Sequence, residues 1–135
     1  MPAIYTCPSG VFEPGTTPYQ VIVGKRTAFE GLTRPHGIAE FLDGTSNTLL
    51  AVEAKNPVIW TKPDDVMFDP PGFDRPGAQA DFMKLPTLLG SNHPGGFNAL
   101  IADGSVRFIK SSINPLTLNA LTTRNGGEVI AADAY

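Results

Sequence analysis

The chain has 135 residues, a length that suits one domain spanning residues 1–135. The formal net charge is −3 and the lysines and arginines do not cluster, so a nucleic-acid partner is not expected. No apolar run approaches the ~20 residues of a membrane span and no signal peptide is visible, so the sequence predicts no transmembrane segment. Cys7 is the one cysteine, which excludes an internal disulfide.

Short strands are predicted in the first half of the chain. Alternating side chains predict a strand at Tyr19–Val23, one helical turn is expected at His36–Leu42, and Thr48–Ala54 predicts a second strand. Val58–Trp60 predicts a third strand. Pro57 directly before it indicates a strand start or a sheet edge, because proline has no backbone N–H to donate.

Residues 61–92 predict a long loop, since they contain five prolines and little periodicity. One short strand is expected within it, at Leu85–Leu89. Carboxylate oxygens on a loop are the hard ligands that calcium prefers, which makes calcium a candidate ligand here. No EF-hand pattern is present, so a solvated acidic loop is the favoured interpretation. The acidic residues concerned are Asp64, Asp65, Asp69 and Asp74.

The strongest local pattern is a β-hairpin around Asp103-Gly104. Apolar-rich runs at Phe97–Ala102 and Ser105–Lys110 flank this pair, and a two-residue loop of this composition predicts a type I′ turn. Such a turn fixes the register and gathers four residues on the core face of the hairpin. Those four residues are Ala99, Ile101, Val106 and Phe108.

A helix is predicted after the hairpin. Asn114 suits its N-cap, Pro115 its first position, and Gly126 lies where a helix C-terminus favours glycine. Together with the strands, this pattern predicts an α+β fold. The expected architecture is a twisted antiparallel sheet with a C-terminal hairpin and helix and long loops rich in proline and glycine.

His93 and Asp103 raise the question of a shared metal or acid/base site. The strand from Phe97 to Asp103, at roughly 3.3 Å per residue, spans on the order of 20 Å. The two side chains are therefore not expected to meet, and Asp103 is interpreted as a turn residue. Gly95 and Gly96 are interpreted as allowing a close backbone path, for which His93 would be a hydrogen-bonding anchor.

The segment HPGGFNALIADG has an H-x9-DG pattern and is followed by SVRFIK. It resembles the C-terminal signature of the DUF1559 family, prepilin-type proteins abundant in planctomycetes. Further stretches that resemble the family occur in the same order and cover roughly residues 5–130. They are CPSG (Cys7–Gly10), DGTSNTLLAVEA (Asp43–Ala54), PVIWTKPDD (Pro57–Asp65) and NGGEVI (Asn125–Ile130).

The resemblance implies an extracytoplasmic protein, whether secreted, periplasmic or on the cell surface. It implies a pilin- or pseudopilin-like fold and a structural or binding role without enzymatic activity. The expected partner is a pilin-like assembly or another cell-surface component. Such proteins normally begin with a prepilin cleavage site and a hydrophobic helix, whereas this chain begins MPAIYTCPSG. A trimmed or naturally short form is therefore expected, present as a monomer or weak dimer.

Several residues suggest chemistry, each with a structural alternative. Cys7 could ligate zinc with His36 or His93, but the spacing matches no zinc signature and a buried thiol is favoured. Ser46, Asp103 and His93 could form a hydrolase triad, but no nucleophile elbow surrounds Ser46. No firm metal site or cofactor is therefore predicted.

The remaining candidates are a turn motif and an aromatic platform. The turn motif, which is expected to cap the entry into the second strand, consists of Asp43, Gly44, Ser46 and Asn47. Trp60 with Lys62 could bind a ligand, or Trp60 could cover the core. Two alternative functions stay open: a small metal-dependent hydrolase using His93 with loop carboxylates, and a carbohydrate-binding module centred on Trp60.

Overall fold

Five strands form one mixed sheet in a computed structural model that describes residues 1–31, 35–62, 64–69 and 83–130. The strands are β1 (Thr16–Val23), β2 (Leu49–Ile59), β3 (Val66–Met67), β4 (Gly96–Ile101) and β5 (Val106–Lys110). Their order is β3-β1-β2-β4-β5. β1 and β3 run parallel and the other neighbours antiparallel. The predicted α+β class is confirmed, with one parallel pair added to the expected antiparallel sheet.

Two short helices and three 3-10 turns complete the described elements. The helices are α1 (Leu85–Leu88) and α2 (Pro115–Thr122), and the turns are Ala3–Tyr5, Ile38–Glu40 and Thr45–Asn47. The predicted cap of α2 is confirmed, since the Asn114 side chain accepts a backbone N–H of the first turn at 2.9 Å. The predicted end at Gly126 is wrong. The helix ends at Thr122 because Thr123 adopts extended backbone and pairs with Thr27.

β2 is one continuous strand where two were predicted. Both Thr48–Ala54 and Val58–Trp60 fall largely within Leu49–Ile59. The register between β1 and β2 shifts across the part of β2 that contains Pro57. This irregularity lets the strand continue past a residue that has no N–H for the ladder.

The predicted strand at Leu85–Leu89 is wrong. Residues Leu85–Leu88 form the single turn of α1, and only Leu89 makes a bridge, to Ala54 of β2. Pro86 lies in the first helical turn, where a missing N–H costs no hydrogen bond. An apolar run this short cannot be assigned to helix or strand by periodicity, which explains the error.

The hairpin is confirmed, but its turn and register differ from the prediction. Gly104 N–H donates to Ile101 O at 2.9 Å, and Ile101 N–H donates to Ser105 O at 2.8 Å. φ is +88° at Gly104 but is not positive at Asp103, which a type I′ turn would require. The loop therefore has three residues, with glycine in the left-handed position that follows a type I turn.

The longer loop reverses the faces of β5, because a shift of one residue moves every side chain to the other side of a sheet. Ala99 and Ile101 lie in the core as predicted. Val106 and Phe108 do not, being 67% and 43% exposed, and Ile109, which is fully buried, takes the core position.

The core lies on the sheet face that α1 and α2 cover. Leu85 of α1 and Leu118 and Leu121 of α2 pack with Ile101 and Ile109 of the hairpin, and all five are at most 1% exposed. Full burial of such a side chain contributes about 1.5–3 kcal/mol. The opposite face of the sheet, called the open face below, has no α-helix over it in the described parts of the chain. No helix in those parts is long and apolar enough to cross a membrane.

Gly104→Ala is expected to lower the free energy of unfolding by about 1 kcal/mol, because a Cβ is strained at the left-handed φ of +88°. Gly37→Ala is the matched control. An added Cβ meets no atom within 4 Å at either glycine, but φ at Gly37 is −78°. The control should be neutral or slightly stabilising. Urea melts of both variants test this, and equal midpoints would contradict the left-handed turn.

Candidate functional site

A carboxylate is buried on the open face of the sheet. Val52 and Ala54 of β2 lie in the core, so the side chain of Glu53 between them projects from the other face. Yet the Glu53 side chain is only 1% exposed. Cys7 of the N-terminal segment and His93 of the loop before β4 both lie against it.

Local hydrogen bonds hold the two covering segments in place. The chain turns at Cys7, where Gly10 N–H donates to Cys7 O at 3.3 Å. In the other segment, the Ser91 hydroxyl accepts the N–H of His93 at 3.0 Å and donates to Gly96 O at 2.9 Å. One serine thus ties the histidine loop to the start of β4.

Gly95 and Gly96 allow the chain to pass close to β5 as it enters β4. φ is +83° at Gly95, and a Cβ on Gly96 would collide with the carbonyl oxygen of Ile109 and the ring of Phe108. Larger residues at Gly96 would therefore push β4 away from β5 and displace His93 with it.

Three ligand-type atoms converge where these segments meet. Cys7 Sγ lies 3.6 Å from His93 Nε2, and Glu53 Oε1 lies 3.4 Å from the same nitrogen. All three atoms lie within 4.8 Å of one another. Among the described residues, Cys7, Glu53 and His93 are the group of side chains whose ligand atoms lie close enough together to share an ion.

The two oxygens of Glu53 have unequal surroundings. Oε2 accepts the backbone N–H of Asn98 at 2.7 Å. Oε1 is buried and makes no hydrogen bond, although it lies beside His93. A buried carboxylate oxygen without a donor is costly, because its interactions with water are lost and not replaced.

Two further side chains complete the surroundings of the cluster. Ser9 Oγ lies 3.1 Å from His93 Nδ1, the ring nitrogen that faces away from Cys7 and Glu53. The pKa of Tyr19 is raised by burial, then by the charges of Cys7 and Glu53 and by a hydrogen bond with Cys7. The Tyr19 hydroxyl therefore stays protonated next to the Cys7 sulfur.

The sequence analysis considered His36 and His93 as partners of Cys7, and Asp103 as a partner of His93. The structure brings only Cys7 and His93 together. Cys7 does meet His93, but His36 bonds instead to Glu40, with its Nδ1 2.8 Å from the carboxylate. Asp103 lies at the hairpin turn, where its carboxylate accepts the backbone N–H of Ser105 at 2.9 Å and the hydroxyl at 2.6 Å. Both hydrogen bonds lower the pKa of Asp103, and the bond from the Ser105 hydroxyl has the larger effect.

Glu53 is the site residue that sequence reasoning did not identify. The available signal was a charged residue within an apolar strand, since an acidic side chain is almost never fully buried unless it has a partner. Its partners are far away in sequence, so no local motif revealed them.

Asp43 joins the DGTSN segment to the C-terminal NGG segment. Its carboxylate accepts the N–H of Gly126 at 2.6 Å and of Gly127 at 2.8 Å, and lies 3.1 Å from the Thr123 hydroxyl. Asn47 donates from its side chain to Asp43 O at 3.1 Å. This arrangement is called the Asp43 clamp below.

Gly44 and Ser46, the other members of the turn motif, lie in the turn that follows Asp43. Gly44, with φ of +91°, precedes the 3-10 turn Thr45–Asn47, and Ser46 is exposed within that turn. Asp103 bonds to Ser105 and His93 Nδ1 lies next to Ser9, so these contacts do not assemble the triad with Ser46.

The aromatic candidate lies at the surface beside the N-terminus. Trp60 is 40% exposed and packs against Tyr5 with ring centroids 5.7 Å apart and planes tilted by 34°. Lys62 nearby forms an exposed ion pair with Asp64 at 2.6 Å. Neither residue contacts the buried cluster in any hydrogen bond or ion pair that the structure shows.

The other loop carboxylates bind backbone. Asp65 accepts the N–H of Val21 at 3.0 Å, and Asp69 accepts the N–H of Lys25 at 2.7 Å. They thus hold the loop to β1 and the residues that follow it. Asp74 lies outside the described residues.

An apolar groove of about 310 Å³ lies on the open face next to the cluster. Tyr19 of β1, which faces Cys7, also lines this groove, so the two features share a wall. The other lining side chains include Ile4, Tyr5, Leu100 and Val106.

Comparison with known families gives one match. A family model described as "Protein of unknown function (DUF1559)" matches residues 67–116, which contain the complete H-x9-DG segment from His93 to Gly104. The family resemblance is confirmed over this range. Comparisons with curated proteins and with solved structures find no match.

Asp43→Ala is expected to lower the free energy of unfolding by about 1–3 kcal/mol, because the N–H groups of Gly126 and Gly127 lose a charged acceptor. Asp64→Ala makes the same chemical change in an exposed ion pair and should cost at most about 1 kcal/mol. Chemical denaturation of both variants measures the difference. If the two variants unfolded at the same midpoint, the Asp43 clamp would contribute no more than a surface pair.

Proposed function

We propose that this chain, whose residues 67–116 match the DUF1559 family, is a non-enzymatic structural and binding domain of an extracytoplasmic, pilin-like assembly. The observation that carries the proposal is the apolar groove on the open face of the sheet. The family resemblance supplies the cellular setting, and the groove supplies a surface for a partner.

The groove and its surroundings expose more apolar surface than isolated side chains would. Val106 is 67% exposed, Phe108 43%, Ile4 79% and Tyr5 41%. Contiguous apolar surface of this kind marks interaction sites on soluble domains. The shifted register of the hairpin places Val106 and Phe108 on this face, so the surface follows directly from the three-residue turn.

The occupant that we infer is an apolar α-helix of a pilin-like subunit. A concave apolar groove accommodates the apolar side of a helix. Addition of a strand at the neighbouring sheet edge is less favourable, because the edge strand β5 carries Arg107 and Lys110, and charged side chains discourage edge pairing. The proposal extends to oligomeric state: without such a helix the domain is a monomer or weak dimer.

A photo-reactive amino acid at Val106, in the chain expressed in its source organism, is expected to cross-link to a subunit that has a pilin-like apolar helix. The cross-linked product should be recovered from the cell envelope or the medium. Val129 is the matched control, since it is 98% exposed and does not line the groove. We expect a several-fold lower yield there, measured by mass spectrometry of the purified adducts.

Equal yields from Val106 and Val129 would show that the groove is not the surface that binds the partner. Adducts confined to cytoplasmic proteins would overturn the extracytoplasmic role altogether. Val106→Lys, which places a charge in the groove at an exposed position, should abolish partner binding without lowering the melting temperature.

A further inference from the structure

We infer that Cys7, Glu53 and His93 form a binding site for one divalent transition metal ion, for which zinc is the best match. The site does not depend on the proposed function, since it lies beside the groove and its ligands are not the residues that would contact a docked helix.

The spacing of the three donor atoms suits a tetrahedral ion. Zinc bound at about 2.3 Å from a thiolate and about 2.0–2.1 Å from an imidazole or carboxylate keeps its ligand atoms about 3.3–3.6 Å apart. The distance from Cys7 Sγ to His93 Nε2 is 3.6 Å, and that from Nε2 to Glu53 Oε1 is 3.4 Å. These two distances match tetrahedral coordination, and Cys7 Sγ and Glu53 Oε1, which lie within 4.8 Å of each other, would move closer together around the ion.

The groups around the ligands also suit a metal. A histidine ligand usually makes a hydrogen bond through its second ring nitrogen, which fixes the tautomer. Ser9 Oγ lies 3.1 Å from Nδ1 of His93 and can accept a hydrogen bond from Nδ1–H; in that tautomer Nε2 carries a lone pair. The N–H of Asn98 holds Glu53 Oε2 at 2.7 Å and so directs Oε1 toward the same point.

The Oε1 oxygen of Glu53, which has no hydrogen bond, independently indicates a cation at this point. Oε1 is buried without a hydrogen bond, in a side chain that is 1% exposed. A cation beside it would supply the missing interaction. Because the His93 side chain is 26% exposed, an ion can reach the site from solvent.

A catalytic thiol is the main competing interpretation, and the geometry disfavours it. In a Cys–His–acid triad the thiol and the carboxylate contact opposite nitrogens of the imidazole ring. Here Sγ and Oε1 both lie next to Nε2, while Nδ1 faces Ser9. Sγ, Oε1 and Nε2 thus surround a common point, as the ligand atoms of a metal ion do.

The donor set selects the class of ion. Thiolate and imidazole favour zinc and related transition metals, whereas calcium requires six to eight oxygen ligands. Three protein ligands leave a fourth position for water or another ligand. The ion would fasten the N-terminal segment to β2 and to the loop before β4, joining Cys7 to a histidine 86 residues away.

Cobalt(II) is the spectroscopic probe for this site, and zinc is the ion for calorimetry. The purified chain, stripped of metal under reducing conditions, is expected to bind one zinc per chain and to release protons on binding. With cobalt it should show the thiolate charge-transfer band and the intense visible bands of tetrahedral coordination. Cys7→Ser should remove the charge-transfer band, and Glu53→Gln should weaken zinc binding by at least tenfold.

His36→Ala is the matched control, because His36 bonds to Glu40 and is not part of the cluster. It should keep the affinity of the parent. Should Cys7→Ser fail to fold, Ser9→Ala retains all three ligands, changes an exposed residue, and is expected to lower the affinity about 10–100-fold. Circular dichroism verifies the fold of each variant.

Absence of a thiolate–cobalt band in the folded parent would overturn the site. Unchanged affinity in folded Cys7→Ser or Glu53→Gln, or a loss in His36→Ala equal to theirs, would do the same. Rapid alkylation of Cys7 that depends on His93 and is unaffected by zinc would favour the catalytic thiol instead. None of these results bears on the cross-linking from Val106, so the two proposals fail separately.

Discussion

The buried carboxylate of Glu53 is the constraint on which the arrangement of the open face depends. A charged group inside a sheet is stable only if other polar groups or ions compensate it. The backbone N–H of Asn98 compensates Oε2, whereas Oε1 lies between the Cys7 and His93 segments without a hydrogen bond. The N-terminal segment must therefore lie across the sheet, although it forms no strand of its own.

This cover divides the open face into two parts with different chemistry. One part is the polar cluster beneath the N-terminal segment, and the other is the apolar groove that Leu100 and Val106 line. Tyr19 belongs to both, because its ring lines the groove and its hydroxyl meets Cys7. An event at the cluster, such as ion binding, would thus act on a wall of the groove and on the segment that carries Ile4 and Tyr5.

The Asp43 clamp holds the C-terminal segment in place, as the cluster of Cys7, Glu53 and His93 holds the N-terminal segment. One carboxylate receives two backbone N–H groups of the NGG segment after α2. Motifs that are far apart in the sequence thereby become neighbours: DGTSN with NGG, and CPSG with the histidine loop. Polar contacts between segments, rather than long regular elements, hold much of this proline- and glycine-rich chain in place.

Sequence alone determined the local features that depend on a few adjacent residues: the hairpin at Asp103-Gly104, the Asn114 cap, and the separation of His93 from the hairpin turn. It also indicated a resemblance to the DUF1559 family, and the family model matches residues 67–116. Tertiary structure decided the faces of β5, because the turn can have two or three residues and each choice exposes the opposite set of side chains. It alone joined Glu53 to Cys7 and His93, since contacts between residues so far apart depend on how the whole sheet folds and leave no local pattern.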